Sequence, residues 1–426
     1  MKVYSKKSVY EKSLERIEWV IREFKGHIVV GSSGGKDSTV VMELALEVIR
    51  KLKANGELPK DYKLKVMWLD QEAEWTRTRE YIEDIAKNRT DEIELYWMQC
   101  FFELTHSASL GEVNMLRCYD KDYDGVYCQP LSEYAYDRLY IGEDGYPLPI
   151  SELNKHRKLV NGKWVYDKEI PYKEHDSKNF YVIFEDIYSW INGGKSYGVL
   201  QGVKASESPR RNLQLTYQLG YKGITWSCIS GKNNEGVRFS PISDWSLTDD
   251  FVYFQRSGCK YNKIYDEFLQ FGISPSRMRV SSLIHETSVA HNSTIVQELD
   301  RDLYNRMCDR LPGISTYSQL QEKAQAVVLP VNFKDYEEYA RYLIDKVMVE
   351  KNKHYFLDMF ESKFYKEHKD NRYIKTELDK CIVESILTKD VDKTKFKNMV
   401  SALDMMEKRD RKIEVRKNER ENNQVN

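Results

Sequence analysis

The stretch Ser33-Gly34-Gly35-Lys36-Asp37-Ser38-Thr39 stands between an apolar, β-rich run at 27–32 and a segment of helical period at 40–52. In that segment Val41, Leu44, Ala45, Val48, Ile49 and Leu52 recur at the spacing of one buried helix face. A strand that turns directly into a helix leaves N–H groups with no intrahelical partner, and the helix dipole adds positive charge to them. Such a junction is an anion site. Gly34 and Gly35 let the backbone approach an anion with no Cβ in the way. Ser33, Ser38 and Thr39 add hydroxyls and Lys36 a cation, and either Asp37 or Ser38 is placed to cap the helix. The competing reading is a plain glycine turn with a polar cap.

The rhythm around this junction repeats. Ser8 and Glu11 form a capping-box pattern ahead of a helix to Phe24. Strands are expected at 64–69, closing on Asp70, and at 93–97, with a helix over 76–87 between them. Strand, helix, strand, helix, strand implies an α/β fold with a parallel sheet and right-handed crossovers. The region 105–178 is rich in Tyr, Asp and Gly and reads as an insertion outside the sheet, with a hairpin signal at Asn161-Gly162. The period resumes with a helix at 184–191 and a strand at 198–203. From about 260 onward it is mostly helical, with a clean stripe at Tyr336, Tyr339, Ala340, Leu343, Ile344 and Val347. The expected organisation is an α/β domain over 1–258 carrying the insertion, followed by a mostly helical region over 259–426.

Sixty-six basic residues against 67 acidic ones give no global sign of nucleic-acid binding. No apolar run reaches the ~18 residues of a membrane span, and the N-terminus lacks the apolar core of a signal peptide. The expectation is a cytoplasmic protein without a membrane partner. Seven scattered cysteines with no Cys-x-x-Cys read as reduced thiols rather than a disulfide framework or a metal loop. His285, Glu286 and His291 read as ordinary surface or core residues.

The glycine stretch meets neither the Walker A nor the dinucleotide pattern, because Lys36 is followed by Asp37 and no G-x-G precedes it. It resembles the S-G-G-x-D-S loop of the PP-loop ATP pyrophosphatases and sulfonucleotide reductases. Three further stretches resemble that superfamily in order. They are Leu69-Asp70-Gln71-Glu72-Ala73-Glu74-Trp75-Thr76, then Gly202-Val203-Lys204-Ala205-Ser206-Glu207-Ser208-Pro209-Arg210-Arg211, with Lys204 where an arginine is usual, and Pro241-Ile242-Ser243-Asp244-Trp245. Together they span about 27–255 and mark the chain as similar to the phosphoadenosine phosphosulfate (PAPS) reductase-like family. Arg279 to Glu286, Leu303 to Met307 and Arg310-Leu311-Pro312-Gly313 resemble its long IbrA-type subgroup, often paired with a ParB-like protein.

The resemblance implies an adenine nucleotide alpha hydrolase-like (HUP) domain that binds ATP, or a sulfonucleotide such as PAPS, with Mg²⁺. It implies contacts from Ser33, Gly34, Gly35, Lys36, Asp37, Ser38, Thr39, Asp70, Gly202, Lys204, Glu207, Arg210 and Arg211. Lys36, Asp37 and Glu207 would be catalytic, with Asp37 as the Mg²⁺ ligand. The chain departs from true reductases in one respect: its end, Arg416 to Asn426, has no cysteine to act as nucleophile, and Cys381 sits in an ordinary helical pattern. Reductase chemistry is therefore not expected. The leading expectation is an enzyme that cleaves ATP between its α and β phosphates and adenylates an unknown acceptor. Two others stand beside it: a non-catalytic nucleotide-binding regulator acting with a ParB-like partner, and a nucleic-acid sulfur-modification enzyme.

Overall fold

The computed structural model describes residues 6–106, 114–175, 178–217, 220–230, 235–275, 278–280, 283–284, 295–311, 313–314, 329–348, 350–388 and 390–422. The chain packs as two units. One comprises Met1–Leu104, Arg117–Leu283 and Ile295–Arg310, the other Thr105–Leu116, Ile284–Thr294 and Leu311–Asn426.

The first unit is built on a seven-stranded sheet. Its order runs Ser227–Ser230, Gly236–Phe239, Tyr197–Gln201, Ile28–Ser32, Leu64–Leu69, Ile93–Met98, Ala135–Tyr136. Every neighbouring pair is parallel except Ser227–Ser230 against Gly236–Phe239. The expected parallel α/β sheet is present. Ala135–Tyr136 corrects one expectation, however: this piece of the 105–178 segment joins the sheet as an edge strand instead of lying outside it. The hairpin signal in the same segment holds, since Arg157–Val160 pairs antiparallel with Lys163–Tyr166. Asn161 and Gly162 have φ of 50° and 74°, the left-handed pair that a two-residue hairpin turn of this kind requires.

The first strand sits in the middle of the sheet. From it the chain steps to Leu64–Leu69, Ile93–Met98 and Ala135–Tyr136 on one side, then returns to Tyr197–Gln201 on the other. The connections leaving the carboxyl ends of the first strand and Tyr197–Gln201 therefore diverge, and a crevice opens between them at the point where the strand order reverses.

The helix Lys36–Ala54 begins directly after the glycine loop. It was expected to bury one face, but Val40, Met42 and Leu46 are buried as well as Val41, Leu44, Ala45, Val48, Ile49 and Leu52. The reason is that Val9–Glu23 and Leu247–Ser257 pack against it as well as the sheet. The capping box of the Val9–Glu23 helix forms as its sequence implies, with Ser8 Oγ accepting from the Glu11 N–H. The second unit has its own core, in which Leu343, Ile344, Phe356, Leu378 and Ile382 pack between the helices Tyr336–Tyr342, Lys353–Phe360, Arg372–Thr388 and Thr394–Asn422. Among the described residues, no helix is long and apolar enough to cross a membrane.

Candidate functional site

The glycine loop leaves the first strand at the carboxyl edge of the sheet, as expected. Gly34 takes φ of 67°, and a Cβ there would stand 2.5 Å from Thr78 Cγ2, so both the backbone angle and the packing require glycine. Its shape is fixed from far along the chain. Asn262 Nδ2 donates to the Gly34 carbonyl at 2.9 Å, and the Lys36 N–H donates to Tyr265 Oη at 2.9 Å.

The loop amides are not bare. The Ser33 N–H donates to Ser38 Oγ at 3.2 Å, Gly34 to Ser32 Oγ at 3.1 Å, and Gly35 to Ser33 Oγ at 3.3 Å. These are long bonds to neutral hydroxyls, which a charged phosphate oxygen exchanges for shorter, stronger ones. Neither Asp37 nor Ser38 caps the helix. The N-cap is Gly35 with no side-chain bond, and Ser38 Oγ turns back to the Gly35 carbonyl at 3.0 Å.

The loop opens into a cavity of about 510 Å³, a size suited to a nucleotide. The structure brings Ser33, Gly35, Lys36, Asp37, Ser38, Gly202, Lys204, Glu207 and Arg211 to its walls. Gly202 sits where the end of strand Tyr197–Gln201 meets the loop. A Cβ there would stand 2.6 Å from the Asp37 carbonyl carbon and 2.7 Å from the Ser38 nitrogen.

Gly34, Thr39 and Asp70, though expected at the site, do not line the cavity. Thr39 Oγ1 faces the core, bonded to the Gly35 carbonyl at 2.9 Å and to Tyr81 Oη at 3.1 Å. Asp70 is fully buried and accepts from Trp97 Nε1, Gln99 Nε2 and the Glu72 N–H at 3.1, 3.0 and 2.9 Å. It shapes the turn that presents Leu69, Gln71 and Glu74 to the cavity. Arg210 lies in the helix Pro209–Tyr217, and its side chain is outside the described residues, as are His285, Glu286 and His291.

Charge in the cavity is largely paired. Lys36 Nζ binds Asp37 Oδ2 at 2.7 Å. Lys204 Nζ lies between Asp37 and Asp250, and its contact with Asp37 Oδ1 is an ion pair without hydrogen-bond alignment. Glu207 accepts from the Lys204 N–H at 2.9 Å and binds the Arg211 guanidinium. Burial, then the adjacent Asp37 charge, pushes Asp250 up to about 7. Asp37 is held below the usual carboxylate range against its burial, by Lys36 and then Lys204.

Asp37, the carboxylate expected to bind Mg²⁺, is thus engaged by Lys36 and Lys204. Among the described residues no cluster of three or more His, Cys, Asp or Glu side chains is placed to hold a metal. Mg²⁺ is usually held by one or two carboxylates together with phosphate oxygens, and Asp37, its charge already taken up by Lys36 and Lys204, would be a weak ligand for it.

Sequence reading missed Asn262, Tyr265, Asp250 and Glu74. For Asp250 a signal existed: Ser246 and Asp249 close a capping box, which assigns Asp249 to the helix end and leaves its neighbour to face inward. Glu74 is 2% exposed, and its Oε2 has no hydrogen-bond partner among the described residues. Burial, then the nearby Asp70, raises it well above the usual carboxylate range. A raised carboxyl costs stability progressively as pH climbs above its unfolded value. Glu74→Gln is therefore expected to match the wild type near pH 4 and to be the more stable protein at pH 8, as read by urea melts. A pH-independent difference would contradict the assignment.

All seven cysteines are free thiols. Cys381 packs in the second unit's core, and burial raises its thiol to about 12. It is a small core residue and not an activated nucleophile.

Residues 27–105, from the first strand through the third, match the family model of the phosphoadenosine phosphosulfate reductase domain. The segment that holds the first three strands and the glycine loop is thus similar to a PAPS reductase domain. A curated relative is YbdN of Escherichia coli (strain K12), described as an uncharacterized protein. It is 20% identical over 358 residues, which is 82% of this chain and 77% of the relative.

Among solved structures, Candida glabrata FMN adenylyltransferase in complex with FAD and inorganic pyrophosphate aligns at 12% identity with a TM-score of 0.32. The alignment covers 62% of this chain and 63% of that one, under two thirds of its length. The phosphate complex of phosphoadenylyl-sulfate reductase from Candida auris aligns over 62% of this chain and 93% of that chain, at 11% identity and a TM-score of 0.26. Overlap this limited adds nothing to the topology already described. The IbrA-type subgroup is not distinguished by these matches.

Proposed function

We propose that the cavity binds an adenine nucleotide, ATP with Mg²⁺ on its phosphates, and that the protein cleaves it between the α and β phosphates. One observation carries this reading. A glycine loop beyond the carboxyl end of the central strand opens at the sheet's switch point into a cavity with Lys36, Lys204 and Arg211 on its walls. In the proposed step an acceptor oxygen attacks the α-phosphorus, and the new P–O bond forms as the bond to the β-phosphate's bridging oxygen breaks. Pyrophosphate leaves with that electron pair, and the acceptor's proton passes to solvent. The chain's own contribution is position and charge: loop amides and Lys36 hold the leaving pyrophosphate, and Arg211 neutralises negative charge.

A second reading is favoured by the pairing of Lys36 with Asp37 and of Lys204 with Asp37 and Asp250. Cations already neutralised suit a nucleotide sensor that regulates a partner without turnover, and the ParB-like partner of the IbrA-type resemblance belongs to this reading. A nucleic-acid sulfur-modification role has only the loop in its favour. Binding and turnover separate the first two. Calorimetry with ATP, its α,β-nonhydrolysable analogue, adenosine phosphosulfate and PAPS measures the first, and Mg²⁺-dependent pyrophosphate release measures the second. Lys36→Ala is expected to weaken ATP binding by about 1.5–3 kcal/mol, roughly ten- to hundredfold. Wild-type affinity in that variant, with its fold intact, would move the site elsewhere.

A further inference from the structure

After the helix Ile264–Gln270 the chain turns back over the glycine loop, and Pro275, Met278, Arg279 and Val280 line the cavity. Met278 and Val280 are 3% and 4% exposed, while Arg279 between them is exposed. The two buried neighbours fix the backbone on both sides of the arginine. Val280 packs on the loop itself, with its Cγ2 2.9 Å from where a Cβ of Gly35 would lie. Arg279 is therefore one residue from a direct contact with the candidate phosphate loop.

Its charge differs from that of the other cavity cations. Lys36, Lys204 and Arg211 each have a carboxylate partner, whereas Arg279 has none among the described residues. Its field is felt by Arg211. Burial, and then the Arg279 charge, pulls the Arg211 guanidinium below the ordinary arginine range. Of the cavity's carboxylates, Asp37 is engaged by Lys36 and Lys204 and Glu207 pairs with Arg211, so an anion between the two guanidiniums would relieve their mutual repulsion. Guanidinium forks match the oxygens of phosphate, sulfate or carboxylate bidentately.

We infer that Arg279 and Arg211 form a two-arginine clamp for an oxyanion, so that Arg279, on a segment distant in sequence from the loop, is a binding residue of this cavity. The inference rests on the nucleotide-binding reading. The oxyanion has two possible carriers: the nucleotide's own phosphates, or a second reactant bearing a phosphate, sulfate or carboxylate group.

The test compares the wild type with Arg279→Ala and Arg279→Lys by calorimetry, with thermal melts to verify folding. In one arm the α,β-nonhydrolysable ATP analogue and free pyrophosphate are titrated. In the other, inorganic phosphate and sulfate are titrated into protein saturated with that analogue. The expected result is a tenfold or greater loss in Arg279→Ala in at least one arm, partly restored in Arg279→Lys, which keeps the charge and loses the fork. A loss in the first arm assigns the clamp to the nucleotide, and a loss confined to the second assigns it to the second reactant. Equal affinities for all three proteins in both arms, with the analogue bound by the wild type, overturn the clamp and leave the nucleotide reading standing. A wild type that binds neither the analogue nor pyrophosphate overturns that reading, and the clamp with it.

Discussion

Arg310→Ala is expected to destabilise the first unit by about 3–5 kcal/mol, the usual cost of stranding one member of a buried ion pair. Arg310 Nε binds Glu72 Oε1 at 2.8 Å, with the two side chains 9% and 0% exposed. Glu72 also accepts from the Tyr119 N–H at 3.0 Å and the Cys128 N–H at 3.2 Å. It thereby joins the exit of the second strand to the 119–128 segment and to the helix Arg301–Arg310. It does so at φ of 65°, a left-handed angle that a side-chain-bearing residue holds only when its surroundings enforce it. Burial already raises Glu72 despite the arginine, and removing Arg310 raises it further. The sign follows: the folded state of the variant holds its proton to higher pH than the wild type does. Its deficit is therefore small in acid, where the carboxyl is neutral in both proteins, and widens as pH rises. Denaturant melts of the variant and wild type between pH 4 and 8 measure this. A deficit that narrows with rising pH would exclude an ionised pair. Adding Glu72→Gln to Arg310→Ala should recover a large part of the loss, because a neutral amide does not leave a charge buried.

Gly202→Ala should have the other large effect. The added Cβ meets backbone, the Asp37 carbonyl and the Ser38 nitrogen, so no side-chain rotation relieves it and the glycine loop must shift. Overpacking of this kind costs about 1–3 kcal/mol. If the loop holds the nucleotide's phosphates, its affinity for ATP falls by roughly tenfold or more, since the phosphate contacts are worth about 1.5 kcal/mol or more each. Melting temperature and calorimetric affinity, measured together, separate the two effects. Wild-type ATP affinity in a destabilised Gly202→Ala would mean that the loop does not carry the phosphates.

Much of this molecule is written in short-range pattern. The period of 40–52, the β-rich run before it and the two glycines between them are enough to set a strand, a tight turn and a helix whose first turn attracts anions. The Ser8–Glu11 cap and the Asn161-Gly162 turn are equally local, and both form where their residues stand. Each rests on hydrogen bonds or backbone angles within a few positions, which neighbouring residue types dictate directly.

What the pattern could not supply were contacts between residues far apart in the chain. Ala135–Tyr136 reads as part of an irregular segment and becomes a sheet edge only because the third strand offers it an open ladder. The resemblance implies Asp70 as a site residue, yet Trp97 and Gln99 claim its oxygens. The glycine loop takes its shape from Asn262 and Tyr265, more than two hundred residues downstream. The resemblance implies Lys204 as a nucleotide contact, but it finds Asp37 and Asp250 once the strands of the first unit are laid side by side. Sequence alone determined that this chain has a parallel sheet with a glycine turn leading into a helix at its centre. Which charges remain free at that turn was decided by tertiary packing, because a buried charge must find its partner through space.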